Sequence, residues 1–425
     1  MGDSGNRFLY ETAYQASGLP VSCRPGGGAY TDQDMRAFIQ KGNEVERQIR
    51  ECPEFVSDFR PEVENLPYVA FGKSAAATLF ETTYYMAVGA TAMSYAMLMS
   101  AREELGWYDK FFEGFSSHRE YWEKLSEYNR KTAQCGINAV YPDNRWAIQS
   151  KEKLAYTESD KAEEQILRYV GLPLAYRMKF EGTHVLHGSD GARISDQTVQ
   201  DLLAKPVLTD AEAIAALMER GYQFDISVEP IDTLQLYEGF TDHEINRGVY
   251  LKQWVGKFAG KRSGYRIDCL SETVEVVGRY KADVPGTANE GTAATVVFTT
   301  SKGAKWAVFG FDLWNRIINT SRRDQLVNVV EYISGSPLPA KIQEAFAAIV
   351  LPRTHENGKL ASVSVVNCMP DESGEYHLKL QVPEGTKALY MSQYGRKEEC
   401  TVGKDGILKM PSLKLWNVAT VFFAE

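Results

Sequence analysis

The chain has 425 residues, of which 44% are hydrophobic and 24% are charged, as expected for a globular protein with two or three domains. Its formal net charge of −9 argues against nucleic acid as the default partner. No stretch approaches the roughly 18 uncharged apolar residues of a membrane-spanning helix, so we expect no membrane span.

The six cysteines and six histidines are scattered along the sequence. There is no CxxC pair and no Cys/His cluster, so we predict free thiols, no zinc site and no cofactor. Residues 1–14 contain no basic stretch followed by an apolar one, so no signal peptide is visible. The compartment stays undetermined: cytoplasmic is the default expectation, and a periplasmic location stays open if the true N-terminus lies upstream.

The first predicted segment, residues 1–140, alternates short strands with amphipathic helices. Strands and helices are predicted in the order β-α-β-α-β-α at residues 19–24, 34–50, 55–64, 76–88, 91–98 and 117–134. This order gives three consecutive parallel units of an α/β fold. Because a (β/α)8 barrel needs eight units, we predict a partial barrel, whose open edge would be unpaired.

The second predicted segment, residues 141–336, continues the alternation and is predicted to be a doubly wound α/β domain. Ser195 and Thr209 are predicted to be helix N-caps. Lys302-Gly303 lies between two apolar runs and predicts a hairpin. The turn His187-Gly-Ser-Asp-Gly191 and the cluster Asp242-His243-Glu244 are interpreted as a structural loop and a solvated cluster.

The third predicted segment, residues 337–425, begins at Pro337-Leu-Pro339. A short helix is predicted at 340–348. The remainder alternates polar and apolar residues with a period of two between glycine-containing turns. This pattern predicts a small C-terminal β-sandwich.

Two carboxylates, Glu62 and Glu64, end the second predicted strand in Arg60-Pro-Glu-Val-Glu-Asn-Leu-Pro-Tyr68. A (β/α)8 barrel presents its catalytic acids at such strand ends. Residues two apart on a strand point to the same face, with Cα atoms about 6.5–7 Å apart. Retaining glycosidases use two carboxyl groups about 5–5.5 Å apart as nucleophile and acid/base, usually from opposite sides of the sugar. A solvated pair at a strand end is the alternative.

The loop Arg24-Pro-Gly-Gly-Gly-Ala-Tyr30 follows the first predicted strand, where a barrel loop would line the pocket. Arg24 is a candidate for binding a hydroxyl or carboxylate, and Tyr30 for stacking on a sugar ring. No Lys-Ser/Thr follows the glycines, so the loop is not a P-loop. A flexible turn is the alternative.

Four more candidates lie in the loops after the second and third predicted strands. Asn65, Tyr68 and Lys73 follow the second strand and are candidate substrate contacts or ordinary loop residues. Trp107 follows the third strand and is a candidate platform for a sugar, or a core or lid residue.

Two short motifs resemble the C-terminal portion of family forty-two glycoside hydrolases, the β-galactosidase-like enzymes, in a divergent bacterial branch. The family's Met-Glu-polar-x-Pro motif on strand seven is represented by Val63-Glu-Asn-Leu-Pro67, and its Ala-x-Gly-Ala turn by Met86-Ala-Val-Gly-Ala90. The resemblance implies a (β/α)8 barrel, an α/β trimerisation domain like a glutamine amidotransferase, and a C-terminal β-domain. These match the three segments in order.

The resemblance implies a carbohydrate substrate, with Glu64 as the nucleophile of a retaining, two-carboxylate mechanism that needs no metal. Glu62 is then expected to tune the pKa of Glu64 or to bind a hydroxyl. The family's acid/base residue follows strand four and has no counterpart in these 425 residues, so we expect an incomplete site and no turnover by this chain alone. One alternative is a non-catalytic oligomerisation or carbohydrate-binding protein, and another is a gene-model fragment. The oligomer that the resemblance implies is a trimer.

Overall fold

The computed structural model describes residues 7–33, 35–66, 69, 72–98, 103–140, 166–176, 182–249, 263–314 and 320–424. The chain divides into two compact units. The first unit combines Met1–Cys135 with Pro339–Glu425, and the second is Gly136–Leu338. The division into three domains stays a prediction.

The first unit opens with parallel strand pairing connected by helices. In chain order its elements are α1 (Arg7–Ser17), α2 (Met35–Glu51), β1 (Glu62–Glu64), α3 (Ala75–Val88), β2 (Ser94–Ala96), α4 (Asp109–Lys131) and β3 (Ala133–Gln134). Strands β1 and β2 are parallel, and Cys23 forms a parallel bridge to Phe59. The chain therefore passes through three adjacent parallel segments, with α2 and α3 as the connections.

The paired strands are shorter than predicted because side chains and proline interrupt the ladder. The N–H of Phe59 donates to the hydroxyl of Thr91 at 2.8 Å instead of to a strand carbonyl. Pro61, which precedes β1, has no N–H to donate. Regular pairing is thus confined to Glu62–Glu64 and Ser94–Ala96, within the predicted ranges 55–64 and 91–98.

Helix α3 is fixed at both ends by its sequence. The hydroxyl of Ser74 accepts a hydrogen bond from the N–H of Ala77 at 3.2 Å, as an N-cap does. Gly89 ends the helix with φ of 128°, a conformation that favours glycine. Almost every side chain between these caps is buried, so α3 is a central helix of the first unit.

The second unit is a mixed sheet with helices on both faces. Its elements are β4 (Ile137–Ala139), α5 (Ile166–Tyr169), β5 (Leu174–Tyr176), β6 (His184–Leu186), α6 (Gly188–Gly191), α7 (Asp196–Leu202), β7 (Val207–Asp210), α8 (Ala211–Glu219), β8 (Ile226–Asp232), β9 (Leu236–Phe240), β10 (Ser263–Cys269), β11 (Glu275–Ala282), β12 (Ala293–Thr299), β13 (Lys305–Phe309) and α9 (Thr320–Ser334). The main strand order is β5-β4-β6-β7-β13-β12-β10-β8, parallel from β5 to β13 and antiparallel beyond.

Alternate residues of β13 face opposite sides of this sheet. Trp306 and Val308 pack in the core that contains α7 and α8, whereas Ala307 and Phe309 pack in the core that contains α9. The predicted hairpin at Lys302-Gly303 joins β12 to β13, which are antiparallel.

Several local predictions in the second unit can be compared with the structure. Ser195 caps α7, accepting from the N–H of Thr198 at 3.1 Å, as predicted. The cap of α8 is Asp210 rather than Thr209, because the hydroxyl of Thr209 donates to the carbonyl of Leu186 at 2.7 Å. The interpretation of His243 as solvated is wrong, since its ring is largely buried and its Nε2 lies 2.7 Å from the Glu275 carboxylate.

The remainder of the first unit is β structure. Its strands are β14 (Ala340–Ile342), β15 (Ala348–Thr354), β16 (Leu360–Asn367), β17 (Tyr376–Leu380), β18 (Lys387–Ser392), β19 (Lys397–Thr401), β20 (Ile407–Met410) and β21 (Val418–Phe423). One sheet has the order β14-β17-β20 and the other β19-β18-β21-β16-β15-β3. The predicted helix at 340–348 is wrong: Ala340 and Ile342 are buried, Lys341 between them is not, and this alternation is that of a strand paired with β17.

Helix α4 packs against β21 inside the first unit. The hydroxyls of Tyr121 and Thr420 are 2.7 Å apart, and the hydroxyl of Tyr128 donates to the carbonyl of Phe423 at 2.8 Å. The βα part and the C-terminal strands of the first unit are therefore joined by hydrogen bonds. Across the described ranges, no helix is long and apolar enough to cross a membrane.

Replacing Gly42 by alanine should destabilise the first unit. A Cβ at Gly42 of α2 would lie 2.1 Å from Cε1 of Tyr84, a fully buried residue of α3. We expect overpacking of about 1–3 kcal/mol to exceed the gain in helix propensity of about 1 kcal/mol. Calorimetry should show a lower melting temperature for Gly42→Ala. Gly106→Ala is the control, because its Cβ would meet no atom nearer than 3.9 Å, and an equal effect of both changes would contradict the argument.

Candidate active site

Glu62 and Glu64 occupy the two ends of β1 and share one face of it. Both side chains are half-buried, whereas Val63 between them is completely buried on the opposite face. The carboxylate of Glu64 is therefore neither enclosed in the core nor fully exposed to solvent. Glu64 is the last residue of β1, which pairs in parallel with β2, and barrel enzymes carry their catalytic residues at such carboxyl ends.

The glycine loop, residues 24–30, lies directly beside these carboxylates. A Cβ at Gly27 would lie 2.6 Å from the carbonyl oxygen of Glu62, so only glycine fits at that position. Gly28 has φ of 92°, and a Cβ there would lie 3.3 Å from the Tyr30 ring and 3.9 Å from Oε2 of Glu64. The glycines thus permit a close approach of the loop to β1, with Gly28 between Tyr30 and Glu64.

Arg24 and Tyr30 lie at the two ends of the glycine loop and differ in their surroundings. The guanidinium of Arg24 forms an ion pair of 3.1 Å with Glu62, with side-chain exposures of 49% and 23%. The Tyr30 side chain is exposed. The Glu62 carboxylate is therefore paired with a cation, while Tyr30 presents an aromatic surface near Glu64.

A completely buried ion pair, Lys73 with Glu81, lies behind β1 and the glycine loop. Nζ of Lys73 also donates to the backbone carbonyl of Glu64 at 3.3 Å. Oε1 of Glu81 accepts from the N–H of Ala29 at 2.9 Å and from the hydroxyl of Tyr85 at 2.8 Å. The pair is therefore bonded to both backbone segments that carry the candidate residues.

Burial and mutual attraction act in opposite directions on this pair. Removal from water lowers the pKa of Lys73 and raises the pKa of Glu81, because each charged form is disfavoured in the interior. The opposite charge of the partner counteracts both shifts. Sequence reasoning included Lys73 but missed Glu81, although Glu81 is the single charged residue in Ala75–Val88.

The remaining predicted residues are Asn65, Trp107 and Tyr68, of which Asn65 and Trp107 differ in burial. Asn65 is completely buried, its N–H donates to the carbonyl of Ala96 at 3.3 Å, and its side-chain amide has no hydrogen-bond partner among the described residues. Trp107 is exposed in a short 3₁₀ helix, Leu105–Tyr108, that follows β2. Tyr68 lies outside the described residues. Their contact with a substrate stays a prediction.

The chemistry of the described residues around Glu64 consists of carboxylates, cations and aromatic rings. In the ranges that the structure covers, no group of three or more His, Cys, Asp or Glu side chains is arranged to hold a metal ion. Arg24 and Tyr30 are suited to polar contact and ring stacking with a sugar. Glu64 carries a carboxylate, a group that is able to act as a nucleophile.

Solved structures with the same overall fold include two glycoside hydrolases. An α-L-fucosidase isoenzyme 2 from Paenibacillus thiaminolyticus matches 87% of this chain with 11% sequence identity and a TM-score of 0.57. A β-galactosidase from Bacillus circulans sp. alkalophilus matches 92% of the chain with 13% identity and a TM-score of 0.55. The chain spans 61% and 60% of the lengths of these proteins.

At these identities the likeness establishes the fold: a mixed α/β architecture shared with glycoside hydrolase structures. No protein-family model matches the sequence. No curated protein sequence matches it significantly.

Removing the charge of Lys73 should make folding stability depend on pH. In Lys73→Met the buried Glu81 loses its neutralising partner, and its pKa, already raised by burial, should rise further. The folded state then retains a proton that the unfolded chain releases above pH about 4.3, so stability falls as pH rises, by up to about 1.4 kcal/mol per pH unit.

Melting temperatures of wild type and Lys73→Met at pH 5 and pH 8 measure this effect. We expect a larger deficit of the variant at pH 8. Lys124→Met, which removes a partly exposed partner of Glu127, is the control and should show no such trend. An identical deficit at the two pH values would mean that Glu81 is not a buried, paired carboxylate.

Proposed function

We propose that this chain carries the nucleophile side of a retaining glycoside hydrolase site, with Glu64 as the nucleophile. The supporting observation is the half-buried Glu64 carboxylate at the end of a parallel strand, next to Gly28 and the exposed ring of Tyr30. The fold shared with an α-L-fucosidase and a β-galactosidase supports the same class of substrate. The proposal includes three further points: the resemblance to family forty-two glycoside hydrolases, a partial (β/α)8 barrel and a trimeric assembly.

In the proposed first step, a carboxylate oxygen of Glu64 forms a bond to the anomeric carbon of the sugar. The bond between that carbon and the leaving oxygen breaks, and its electron pair stays on the leaving oxygen, which is protonated by a general acid. Water then attacks the anomeric carbon and gives a proton to the conjugate base of that acid, and the bond from the carbon to Glu64 breaks with its electron pair on the Glu64 carboxylate.

Glu62 is proposed to modulate Glu64 rather than to act as the acid. Its carboxylate is paired with Arg24 at 3.1 Å and lies on the same face of β1 as Glu64, whereas the acid of a retaining site acts across the sugar. No acid is assigned among the 425 residues, so substrates whose leaving group needs no protonation are the appropriate probes.

The alternative is a carbohydrate-binding or assembly protein without turnover. The exposed aromatic side chains of Tyr30 and Trp107 favour this reading, because aromatic faces serve sugar binding with or without chemistry. In that case Glu64 would contribute a hydrogen bond and form no bond to carbon.

Covalent trapping tests the proposed nucleophile. A 2,4-dinitrophenyl 2-deoxy-2-fluoro glycoside has a leaving group that departs without acid assistance, and its fluorine slows release of the glycosyl-enzyme. We expect galacto-, gluco- or fuco-configured probes to add one sugar mass, mapped by peptide mass spectrometry to Glu64. Glu64→Gln should abolish labelling, whereas Glu62→Gln should label more slowly but still on Glu64. Labelling of another residue, or equal labelling of Glu64→Gln, would refute the assignment.

Sugar binding separates the two functions. If the protein only binds carbohydrate, calorimetric titration with galactose, glucose or fucose should show binding that survives Glu64→Gln, with no covalent labelling of wild type. Under that function Tyr30→Ala should weaken binding by about 1–3 kcal/mol, since it removes the exposed ring. Ala substitution of Tyr14, which is also exposed in the first unit and stacks on Phe55, is the control.

A further inference from the structure

One buried network joins the strand that ends in Glu64 to the glycine loop. Lys73 bonds the carbonyl of Glu64 at 3.3 Å and pairs with Glu81. Glu81 bonds the N–H of Ala29 at 2.9 Å and the hydroxyl of Tyr85 at 2.8 Å. That hydroxyl accepts from the N–H of Gly28 at 3.2 Å. Three connected side chains thus hold the two backbone segments of the candidate site by directional bonds: Lys73 bonds the end of β1, and Glu81 and Tyr85 bond the glycine loop.

Three aromatic rings pack beside this network. The Phe38 ring lies 5.4 Å from Nζ of Lys73, and it packs edge-on against Phe80 and Trp416. Trp416 adopts φ of 53°, which is uncommon outside glycine, and its ring also stacks on Phe80. Exclusion of water by these rings strengthens each electrostatic interaction in the network.

Stability alone does not account for an ion pair in such a place. Two ions taken out of water gain little net stability, and apolar residues of similar volume are often as stable or more so. Apolar residues cannot supply directional hydrogen bonds to the carbonyl of Glu64 and the N–H of Ala29. A 1 Å misplacement of a reacting group costs about 100-fold in rate, so these bonds act where geometry matters most.

We propose that Lys73 and Glu81 are positioning residues that hold Glu64 and the glycine loop at a fixed separation. This inference rests on the proposed function of Glu64. Both side chains are completely buried, so they act on the site through backbone groups and do not touch the sugar. Tyr85 completes the positioning by fixing Gly28, the residue between Tyr30 and Glu64.

The double variant Lys73→Met/Glu81→Leu separates positioning from stability. It removes both charges together, so no unpaired ion is left buried, and the fold should be retained. We expect labelling of Glu64 by the fluoro-glycoside to slow about 100-fold, with little change in the probe concentration that gives half-maximal rate. The matched control is Lys124→Met/Glu127→Leu, which removes a partly exposed ion pair from α4 and should label at the wild-type rate. A wild-type rate in Lys73→Met/Glu81→Leu would overturn the proposal.

A milder pair of variants covers the case in which the double variant does not fold. Tyr85→Phe removes only the hydroxyl that joins Glu81 to Gly28, and we expect about tenfold slower labelling. Tyr84→Phe is its control: Tyr84 is the neighbouring, equally buried residue of α3, and its hydroxyl donates to Asn43 at 2.7 Å instead. Equal labelling rates in the two variants would contradict positioning by this network.

Amide hydrogen exchange keeps the inference testable if wild type is not labelled at all. That outcome would refute the proposed nucleophile, but not the positioning of the backbone. Peptides covering residues 25–30 should then exchange faster in Tyr85→Phe than in Tyr84→Phe, because the Gly28 N–H loses its acceptor. Identical exchange in these peptides would overturn the positioning role independently of any reaction.

Discussion

The arrangement of the candidate site depends on the ion pair between Lys73 and Glu81. Two completely buried charges must each be satisfied, and here the partners include the carbonyl of Glu64 and the N–H of Ala29. Satisfying the charges therefore fixes the end of β1 and the glycine loop at the same time. The buried ion pair and its hydrogen bonds therefore set the relative positions of the exposed Tyr30 ring and the half-buried Glu64 carboxylate.

Much of the first unit follows from local sequence signals. The helix-like spacing of apolar residues in 34–50 and the apolar run in 76–88 predict α2 and α3, and Ser74 and Gly89 provide the caps of α3. Strand lengths were overestimated because ladder bonds are taken by a side chain, Thr91, that is 32 residues from its partner Phe59. A contact between residues 32 positions apart cannot be predicted from a short window of sequence. The strand at Ala340–Ile342 was mistaken for a helix because three residues are too few to show a period.

The face on which two candidate residues lie follows from one backbone rule, whereas the contacts around them depend on packing. The spacing of Glu62 and Glu64 predicted a shared face, which the alternation around the buried Val63 confirms. The pairing of Arg24 with Glu62 needs a turn of the glycine loop that composition permits but does not specify. Glu81 was missed because its partner Lys73 lies before the helix begins, so no helical spacing relates them.

The buried pair also bears on the choice between catalysis and simple binding. A stacking surface such as Tyr30 tolerates small displacements of a sugar, because dispersion and hydrophobic contacts are weakly directional. Bond formation at an anomeric carbon does not tolerate them, since reacting atoms must approach along a defined line. A binding site would therefore gain little from desolvating Lys73 and Glu81 behind the strand. The network lies behind a strand end at which the Glu64 carboxylate and the exposed Tyr30 ring both approach Gly28, and this supports the proposal of a site built for reaction at Glu64.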